Sequence, residues 1–228
     1  MKISYLITCH NETDTLVRLL GRLDTFIRGT LDEAVIIDDF SDNPTKEIIH
    51  EFLQRHPDTH VKYVQHALDN NYGAHKNYGN SLCKNEWIFQ IDGDELPHED
   101  LLTNIKEIIQ VNPDVELFFV PRINDYRGVT EVHSKQWGWR LSPCPAYENR
   151  PIVNWPDYQG RIYKNAPDRI KWDRRLHEKI EGHLKYSFLP PSEELALYHD
   201  KTIETQIKAN LRYNQQFTVA ENQGHKVI

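Results

Sequence analysis

The chain has 228 residues, of which 39% are hydrophobic and 11% aromatic, so it can bury a core and is not a disordered chain. Its formal net charge of -7 argues against a general nucleic-acid-binding protein, because such a protein needs a basic surface. The three cysteines, Cys9, Cys83 and Cys144, lack C-x-x-C spacing and indicate neither a disulfide framework nor a structural zinc site. We therefore expect a reducing, cytoplasmic compartment.

The sequence carries no signal for a membrane. Residues 1–7 lead directly into a strand-like run and are too short for a signal peptide. No apolar run approaches the ~20 residues that a membrane helix needs. We expect a soluble protein without a transmembrane segment.

The first half of the sequence contains four short apolar runs, each followed by a helical pattern. Strands are predicted at residues 3–9, 34–38, 61–65 and 86–91. Asn11 could cap the first helix, and Pro44 is placed for the first turn of the second. Two further helices are predicted at residues 74–83 and 99–110. This alternation predicts an α/β fold with a Rossmann-like, mainly parallel central sheet, flanked by helices.

The carboxyl ends of parallel strands meet at one edge of such a sheet, where open α/β folds bind ligands. Polar residues follow the first, second and fourth strands, and they are Thr8, His10 and Asn11, then Asp38 and Asp39, then Asp92, Asp94 and Glu95. Three carboxylates packed together repel one another, whereas a divalent cation accepts carboxylate oxygens and can share its remaining positions with a diphosphate. The pattern therefore predicts a metal-bound nucleotide at this edge.

The second half of the sequence differs in character after Val120. Five prolines are interleaved with aromatic residues, which predicts long irregular segments. Trp137, Trp139 and Trp155 could either cover the core or bind a sugar. From Thr202 onward the sequence again predicts a helix, with an apolar stripe of Ile203, Ile207 and Leu211.

Four motifs in the first half resemble glycosyltransferase family 2, whose members are inverting enzymes with the GT-A fold that use nucleotide-sugars. Their order and spacing match the family over residues 1 to about 110, with phenylalanine at position 40 where glycine is usual and lysine at position 76 where arginine is usual. The motifs are Ile7-Thr8-Cys9-His10-Asn11-Glu12, Ile36-Ile37-Asp38-Asp39-Phe40-Ser41-Asp42, Gly73-Ala74-His75-Lys76-Asn77-Tyr78-Gly79 and Trp87 to Glu95.

The resemblance implies a role for each matching residue. Asp39 would bind the nucleobase, Thr8, His10 and Glu12 would surround the base and ribose, and Lys76, Asp92 and Gly93 would complete the nucleotide-sugar site. Asp94 would bind a divalent metal ion, Mn²⁺ or Mg²⁺. Asp38, Asn77 and Asn80 are better explained as residues that stabilise turns and brace a helix.

Two motifs in the second half resemble a subset of the same family. Arg175-Leu176-His177-Glu178 resembles a Leu-His-Glu motif and implies that Glu178 is the catalytic base, which takes the proton of the acceptor hydroxyl. A salt bridge from Glu178 to Arg174 or Arg175 is the alternative. His199 would complete the metal shell, because imidazole suits manganese. His177 could orient Glu178 or contact the phosphates.

The resemblance thus implies a metal-dependent inverting glycosyltransferase that moves a sugar from a UDP-sugar to the hydroxyl of a saccharide, lipid-linked or protein acceptor. We expect one GT-A domain over residues 1–228, with a nucleotide-sugar half at 1–115, an acceptor half at 116–200 and a C-terminal helix at 201–228. The alternatives are a carbohydrate-binding scaffold on the same fold and a sugar-phosphate nucleotidyltransferase. The latter would need a glycine-rich phosphate loop after the first strand, and the sequence has none there.

Overall fold

The computed structural model describes residues 1–57, 60–143 and 150–222. The strands in chain order are β1 (Ile3–Cys9), β2 (Glu33–Asp38), β3 (Val61–Gln65), β4 (Trp87–Asp92), β5 (Leu96–Pro97), β6 (Leu117–Val120), β7 (Arg122–Arg127), β8 (Leu141–Pro143), β9 (Pro151–Val153), β10 (Gln159–Lys164), β11 (Lys171–Asp173), β12 (Lys179–Glu181), β13 (Tyr186–Phe188) and β14 (Leu197–Thr202). The helices are α1 (Asp14–Ile27), α2 (Asn43–Arg55), α3 (Tyr72–Leu82), α4 (Glu99–Val111), α5 (Glu131–Trp137), α6 (Ile203–Gln216) and α7 (Val219–Asn222).

The central sheet has seven strands in the order β13-β6-β10-β4-β1-β2-β3. Strands β4, β1, β2 and β3 are mutually parallel, and β10 is antiparallel to both of its neighbours. The mainly parallel sheet that the βα alternation predicts is therefore confirmed. All four predicted strands and the helices between them are present, with boundaries that differ by one or two residues.

Both faces of this sheet are buried at β1, β2 and β4, which explains why these strands read as apolar runs, whereas the edge strand β3 is only partly buried. Tyr5 and Ile7 of β1 pack with the cluster that includes α1, α2 and α4, while Leu6 belongs to a second cluster with α3 and Trp172 of β11. Alternate residues of one strand thus enter opposite cores. This burial fixes the register of β1 and, with it, the residues that leave the carboxyl edge.

One local prediction is wrong: Asn11 does not cap α1. The N-cap of α1 is Thr13, and Asn11 instead adopts a left-handed conformation with φ of 64°. Its side-chain oxygen accepts a hydrogen bond from the amide of Asp42 at 2.6 Å, and its own amide donates to Ser41 at 2.9 Å. Asn11 therefore joins the loops that follow β1 and β2.

The prediction of irregular chain after Val120 is also wrong for the residues that the structure describes. A second sheet forms in the order β5-β14-β7-β9-β8, and β14 pairs in parallel with β7 over residues 197–202. These strands are short and interrupted by prolines, so they lack the apolar runs that indicate β1, β2 and β4. Pro145 and Tyr147, two of the residues on which the prediction rested, lie outside the described residues.

Of the helix predicted at residues 201–228, the structure contains α6, which ends at Gln216, and the short α7, while residues 223–228 lie outside the described part of the chain. Thr202 caps α6 by accepting a hydrogen bond from the amide of Thr205 at 3.2 Å. Of its apolar stripe only Ile203 is buried, and Leu211 is 57% exposed. None of the helices in the described part of the chain combines the length and the apolar character needed to cross a membrane.

Candidate active site

The site begins where β1 and β4 end side by side. Thr8 pairs in register with Asp92, its hydroxyl donates to the Asp92 carboxylate at 2.9 Å, and the amide of Gly93 donates to the Thr8 carbonyl at 2.8 Å. A Cβ on Gly93 would lie 2.9 Å from the Cβ of Cys9 and 3.1 Å from a carboxylate oxygen of Glu12. Glycine is therefore required for the chain to turn this close to β1.

Glu12 stands beside this turn. Its carboxylate accepts a hydrogen bond from the amide of His10. Burial, together with the negative charge of Asp94, raises the pKa of Glu12 to about 7. The structure thus places Glu12 at the same edge as the acidic cluster.

The loop after β2 carries Asp39 toward the same edge. One carboxylate oxygen of Asp39 accepts from the amide of Leu68 at 2.9 Å, and Nδ1 of His10 lies 2.7 Å from the Asp39 carbonyl oxygen. Asp38 is fully buried and accepts hydrogen bonds from Ser41, Tyr63 and Gln65. The interpretation of Asp38 as a residue that stabilises the turn is therefore confirmed.

Phe40, which follows Asp39, has a left-handed backbone with φ of 49°. This is the position where the family usually has glycine, and a left-handed conformation explains that preference. The side chain of Phe40 is 57% exposed. The chain therefore keeps the glycine-like turn although a phenylalanine occupies it.

Lys76 connects the two halves of the chain. Its ammonium lies 2.6 Å from a carboxylate oxygen of Glu178, 3.1 Å from a carboxylate oxygen of Asp92 and 4.6 Å from the centre of the Trp172 ring. Its side chain is only 3% exposed. The sequence-based alternative, in which Glu178 pairs with Arg174 or Arg175, does not appear among the ion pairs of the described residues.

The loop that carries Glu178 is strained and packs tightly on α3. Arg174 and His177 both have left-handed backbones, with φ of 73° and 54°, and such outliers cluster at functional sites. A Cβ on Gly73 would lie 2.4 Å from the Arg174 carbonyl oxygen, so glycine permits this approach. Asn77 exchanges two hydrogen bonds with the backbone of Trp172, which confirms its interpretation as a bracing residue.

Asp94, His199 and Lys201 form a second cluster, because β5 draws the acidic turn against β14. Nε2 of His199 and Nζ of Lys201 lie 3.3 and 2.9 Å from the same Asp94 oxygen, Oδ2. Nδ1 of His199 lies 2.7 Å from the amide oxygen of Asn124, within hydrogen-bonding distance. The structure thus brings the two predicted metal ligands together.

Burial and charge act against each other in this cluster. Burial alone would raise the pKa of Asp94, but Lys201 and His199 hold it well below its usual value. Burial and the Lys201 charge lower the pKa of His199. Burial would lower the pKa of Lys201, but Asp94 raises it above its usual value. Lys201 is thus the group that most strongly favours the ionised form of Asp94.

Asp94 and His199 suit a divalent ion. Their facing atoms are 3.3 Å apart, close to the separation of adjacent ligands on one ion, and a carboxylate with a neutral imidazole suits Mn²⁺. Within the described ranges, no three His, Cys, Asp or Glu side chains are grouped so that they could hold a metal ion on their own. A divalent ion held by only one or two protein ligands takes the rest from water and substrate phosphates.

The expectation that the acidic cluster as a whole needs a metal ion is wrong for Asp92 and Glu95. Arg161 donates to Asp92 at 2.6 Å and to Glu95 at 2.5 Å, and Arg122 donates to Glu95 at 2.9 Å. Glu95 is completely buried. Burial would raise the pKa of Asp92, but Arg161 and Lys76 lower it below its usual range. Protein cations thus supply the counter-charge for these two carboxylates.

The structure places the three tryptophans in two different surroundings. Trp155 packs against a small buried cluster around Ile123, so it covers a core. Trp137 and Trp139 are half-buried, with ring centres 4.6 Å apart, and Trp139 meets Tyr126 at 5.3 Å. Tyr126 in turn lies 5.7 Å from the His199 ring. A chain of aromatic rings therefore leads from α5 to the Asp94 cluster.

Sequence reasoning missed Lys201, Arg161 and Arg122. Lys201 follows His199 by two residues on one strand, so it faces the same side, and a strand prediction for residues 197–202 would have indicated it. Arg161 and Arg122 reach the acidic turn only through sheet pairing between distant segments, for which the sequence carries no local signal.

Comparison with known proteins agrees with this architecture. Residues 4–179 match the family model described as Glycosyl transferase family 2. Over 111 residues the chain is 28% identical to the Poly-beta-1,6-N-acetyl-D-glucosamine synthase of Staphylococcus epidermidis, which covers 49% of this chain and 26% of the synthase.

Among solved structures, TarS 1-349 of S. aureus superposes with a TM-score of 0.60 at 18% identity, covering 88% of this chain and 60% of that chain. The same protein in complex with UDP-GlcNAc gives a TM-score of 0.61 at 17% identity, covering 88% of this chain and 59% of that one. The chain therefore spans only part of the proteins that it resembles.

The fold is the GT-A fold. The chain belongs to glycosyl transferase family 2. Family membership decides against the alternative of a sugar-phosphate nucleotidyltransferase.

Proposed function

We propose that the protein transfers a sugar from a UDP-sugar to an acceptor hydroxyl with inversion, and that it uses a divalent metal ion, Mn²⁺ or Mg²⁺. The observation that carries the proposal is the convergence of Asp94 and His199 with the linked residues Asp92, Lys76 and Glu178 at the carboxyl edge of the sheet. The solved structure of TarS 1-349 in complex with UDP-GlcNAc supports the choice of a UDP-sugar.

In the proposed reaction, Glu178 accepts the proton of the acceptor hydroxyl while that oxygen attacks the anomeric carbon of the donor. The bond from this carbon to the β-phosphate oxygen breaks, and UDP leaves with its electron pair. A metal ion held by Asp94 and His199 would supply positive charge to the leaving diphosphate. Lys76 ties Glu178 to Asp92, so it holds the base in a fixed position relative to the donor side.

Donor recognition follows from the strand ends. A uracil ring presents an N–H donor, and we propose that the Asp39 carboxylate accepts it, with Thr8, His10 and Glu12 around the base and ribose. Gly93 lets the diphosphate approach the backbone. We assign residues 1–115 to the donor, 116–200 to the acceptor and catalysis, and 201–228 to a C-terminal helical segment.

The acceptor and the compartment belong to the same proposal. The half-buried pair Trp137 and Trp139 offers apolar faces that suit a saccharide, whether free, lipid-linked or on a protein. Cys9 and Cys83 are buried free thiols, which suits a reducing compartment such as the cytoplasm.

The test is a calorimetric titration with UDP, GDP and dTDP, each with and without MnCl₂. We expect metal-dependent binding of UDP and loss of that binding in Asp94→Ala, whereas Asp114→Ala at an exposed surface position should bind as the wild type does. Affinity retained by Asp94→Ala at saturating Mn²⁺ would remove Asp94 from the metal site. Failure of all three nucleotides to bind would favour a non-catalytic, carbohydrate-binding role.

A further inference from the structure

Lys201 is a cation of the donor site to which the proposed reaction assigns no role. It leaves β14 on the same side as His199, and its ammonium lies 2.9 Å from Oδ2 of Asp94. Its side chain is 21% exposed, so much of its surface is withdrawn from water. A lysine buried to this extent needs a partner of opposite charge, and Asp94 is that partner.

Lys201 and a metal ion would compete for the same carboxylate oxygen of Asp94. The ammonium and the His199 nitrogen approach one oxygen of Asp94 from distances of 2.9 and 3.3 Å. A divalent ion bound between Asp94 and His199 would stand within a few ångströms of the ammonium, where two positive charges in a partly buried site repel strongly. Either the ion or the ammonium can neutralise this oxygen, but both can remain close together only if further negative charge arrives.

We propose that Lys201 occupies Asp94 until the donor binds and then moves to the diphosphate, so that it makes metal binding depend on the nucleotide. This inference rests on the proposed function, because the diphosphate of a nucleotide-sugar supplies the missing negative charge. Lysine suits such a movement, since it carries a compact charge on a flexible four-carbon stem. Lys201 is therefore a positioning residue that couples the two ligands.

The coupling has a thermodynamic consequence. If the nucleotide raises the affinity for the metal by a certain factor, the metal raises the affinity for the nucleotide by the same factor. In the wild type, Mn²⁺ alone must displace Lys201 from Asp94 and binds weakly. In Lys201→Met the competing charge is gone, so Mn²⁺ should bind more tightly alone and gain less from UDP.

The experiment measures free Mn²⁺ by electron paramagnetic resonance during titration of the protein, first without nucleotide and then with saturating UDP. We expect Lys201→Met to bind Mn²⁺ about tenfold more tightly than the wild type without nucleotide, and to lose about tenfold in the coupling factor. Lys201→Arg, which keeps the charge, should retain weak binding of Mn²⁺ alone. Lys208→Met, at an exposed position of α6, is the matched control and should behave as the wild type.

Two further arms make the outcome decisive. Adding Asp94→Asn to Lys201→Met should abolish the tighter Mn²⁺ binding, which shows that the gain occurs at Asp94. Lys201→Gln serves as a second neutral variant if Lys201→Met does not fold, as judged by thermal unfolding. Unchanged Mn²⁺ affinity in the neutral variants overturns the role of Lys201.

The arm with Mn²⁺ alone also separates this inference from the proposed function. If the neutral variants bind Mn²⁺ more tightly but the wild type binds no UDP, the competition at Asp94 stands, and the nucleotide-sugar function and the coupling are both wrong. If the wild type binds UDP with Mn²⁺ and the variants change nothing, only the inference about Lys201 fails.

Discussion

The two halves of the chain contribute to the site in different ways. In the first half, Thr8, Asp39 and Asp92 sit at the ends of adjacent strands whose buried faces fix their register, so the sheet itself positions them. In the second half, Glu178 lies in a strained loop and His199 on a short strand of a separate sheet. Loop packing and ion pairs hold these two side chains in the site, whereas the order of strands in the central sheet does not position them.

The difference indicates a division of labour. A rigid edge formed by buried parallel strands suits the recognition of one invariant group, such as a nucleoside diphosphate. Residues carried on loops and short strands can vary while that edge stays unchanged, which suits a half that must match an acceptor. Ion pairs from Lys76 and Arg161 then connect the two halves across the acidic turn.

If the halves are separable in function, Glu178→Gln should abolish transfer and leave donor binding intact. We expect the rate of UDP release from the UDP-sugar, with saccharide acceptors or water, to fall by about 10² to 10⁴-fold, because the amide cannot accept the proton. Calorimetry with UDP and Mn²⁺ should give the wild-type affinity. Glu181→Gln, on the exposed face of β12, is the control.

A Glu178→Gln enzyme with full activity would remove Glu178 from the mechanism. A variant that loses donor affinity as well would show instead that Glu178, through Lys76, is part of the donor half.

Arg161→Met tests whether charge holds the halves together. The variant would leave the buried carboxylate of Glu95 and the half-buried carboxylate of Asp92 without their shared arginine, and removing one partner of a buried pair costs about 3–5 kcal/mol. We expect a loss of that size in the free energy of unfolding, measured by denaturant titration.

Lys185→Met is the matched comparison, because Lys185 pairs with Asp114 at 3.2 Å and both side chains are exposed, by 64% and 78%. Exposed pairs contribute only about 0–1 kcal/mol. Equal losses of stability in Arg161→Met and Lys185→Met would show that burial of the Arg161 ion pairs adds nothing to their contribution.

The same contrast explains what could be predicted from the sequence. Strands β1, β2 and β4 can be recognised in the sequence because burial on both faces selects apolar runs, and the polar residues that follow these strands must share an edge. The position of Arg161 has no such signal, since it depends on β10 pairing antiparallel to β4 across a stretch of unrelated sequence. The contact of Lys76 with Glu178 could not be predicted from the sequence either. It depends on the strained loop that carries Glu178, which can approach α3 only because residue 73 is glycine.

Glu12 makes the donor half sensitive to pH. Its pKa is raised from 4.5 to about 7, so the folded state retains a proton that the unfolded state has lost between these values. Stability contributed by this group is therefore greatest below about pH 4.5 and declines as the pH rises toward about 7. Glu12→Gln should flatten this decline and be more stable than the wild type at pH 8 by about 2 kcal/mol.

Denaturant titrations at pH 4, 5.5, 7 and 8 would measure the effect. Glu47→Gln, at an exposed position of α2, should follow the wild type at every pH. If the free energy of unfolding of Glu12→Gln changes with pH in the same way as that of the wild type, the pKa of Glu12 is the same in the folded and unfolded states.

Substitutions of Phe40 test whether the loop after β2 is held in its left-handed backbone conformation. In the left-handed conformation the Cβ of a non-glycine residue clashes with the backbone, which costs about 1–2 kcal/mol, and glycine avoids this clash. Phe40→Ala keeps this cost and removes the ring, so the pair Phe40→Gly and Phe40→Ala isolates the backbone term. Glycine also gains freedom in the unfolded chain, which reduces the difference.

We therefore expect Phe40→Gly to be more stable than Phe40→Ala by about 1 kcal/mol, measured by thermal unfolding. If alanine is as stable as glycine, the loop after β2 relaxes to another backbone and the donor edge is not fixed at this position. If the expected gap appears, the turn is held by its neighbours, because the hydrogen bonds that Asn11 makes with Ser41 and Asp42 keep the loop in place against the strain.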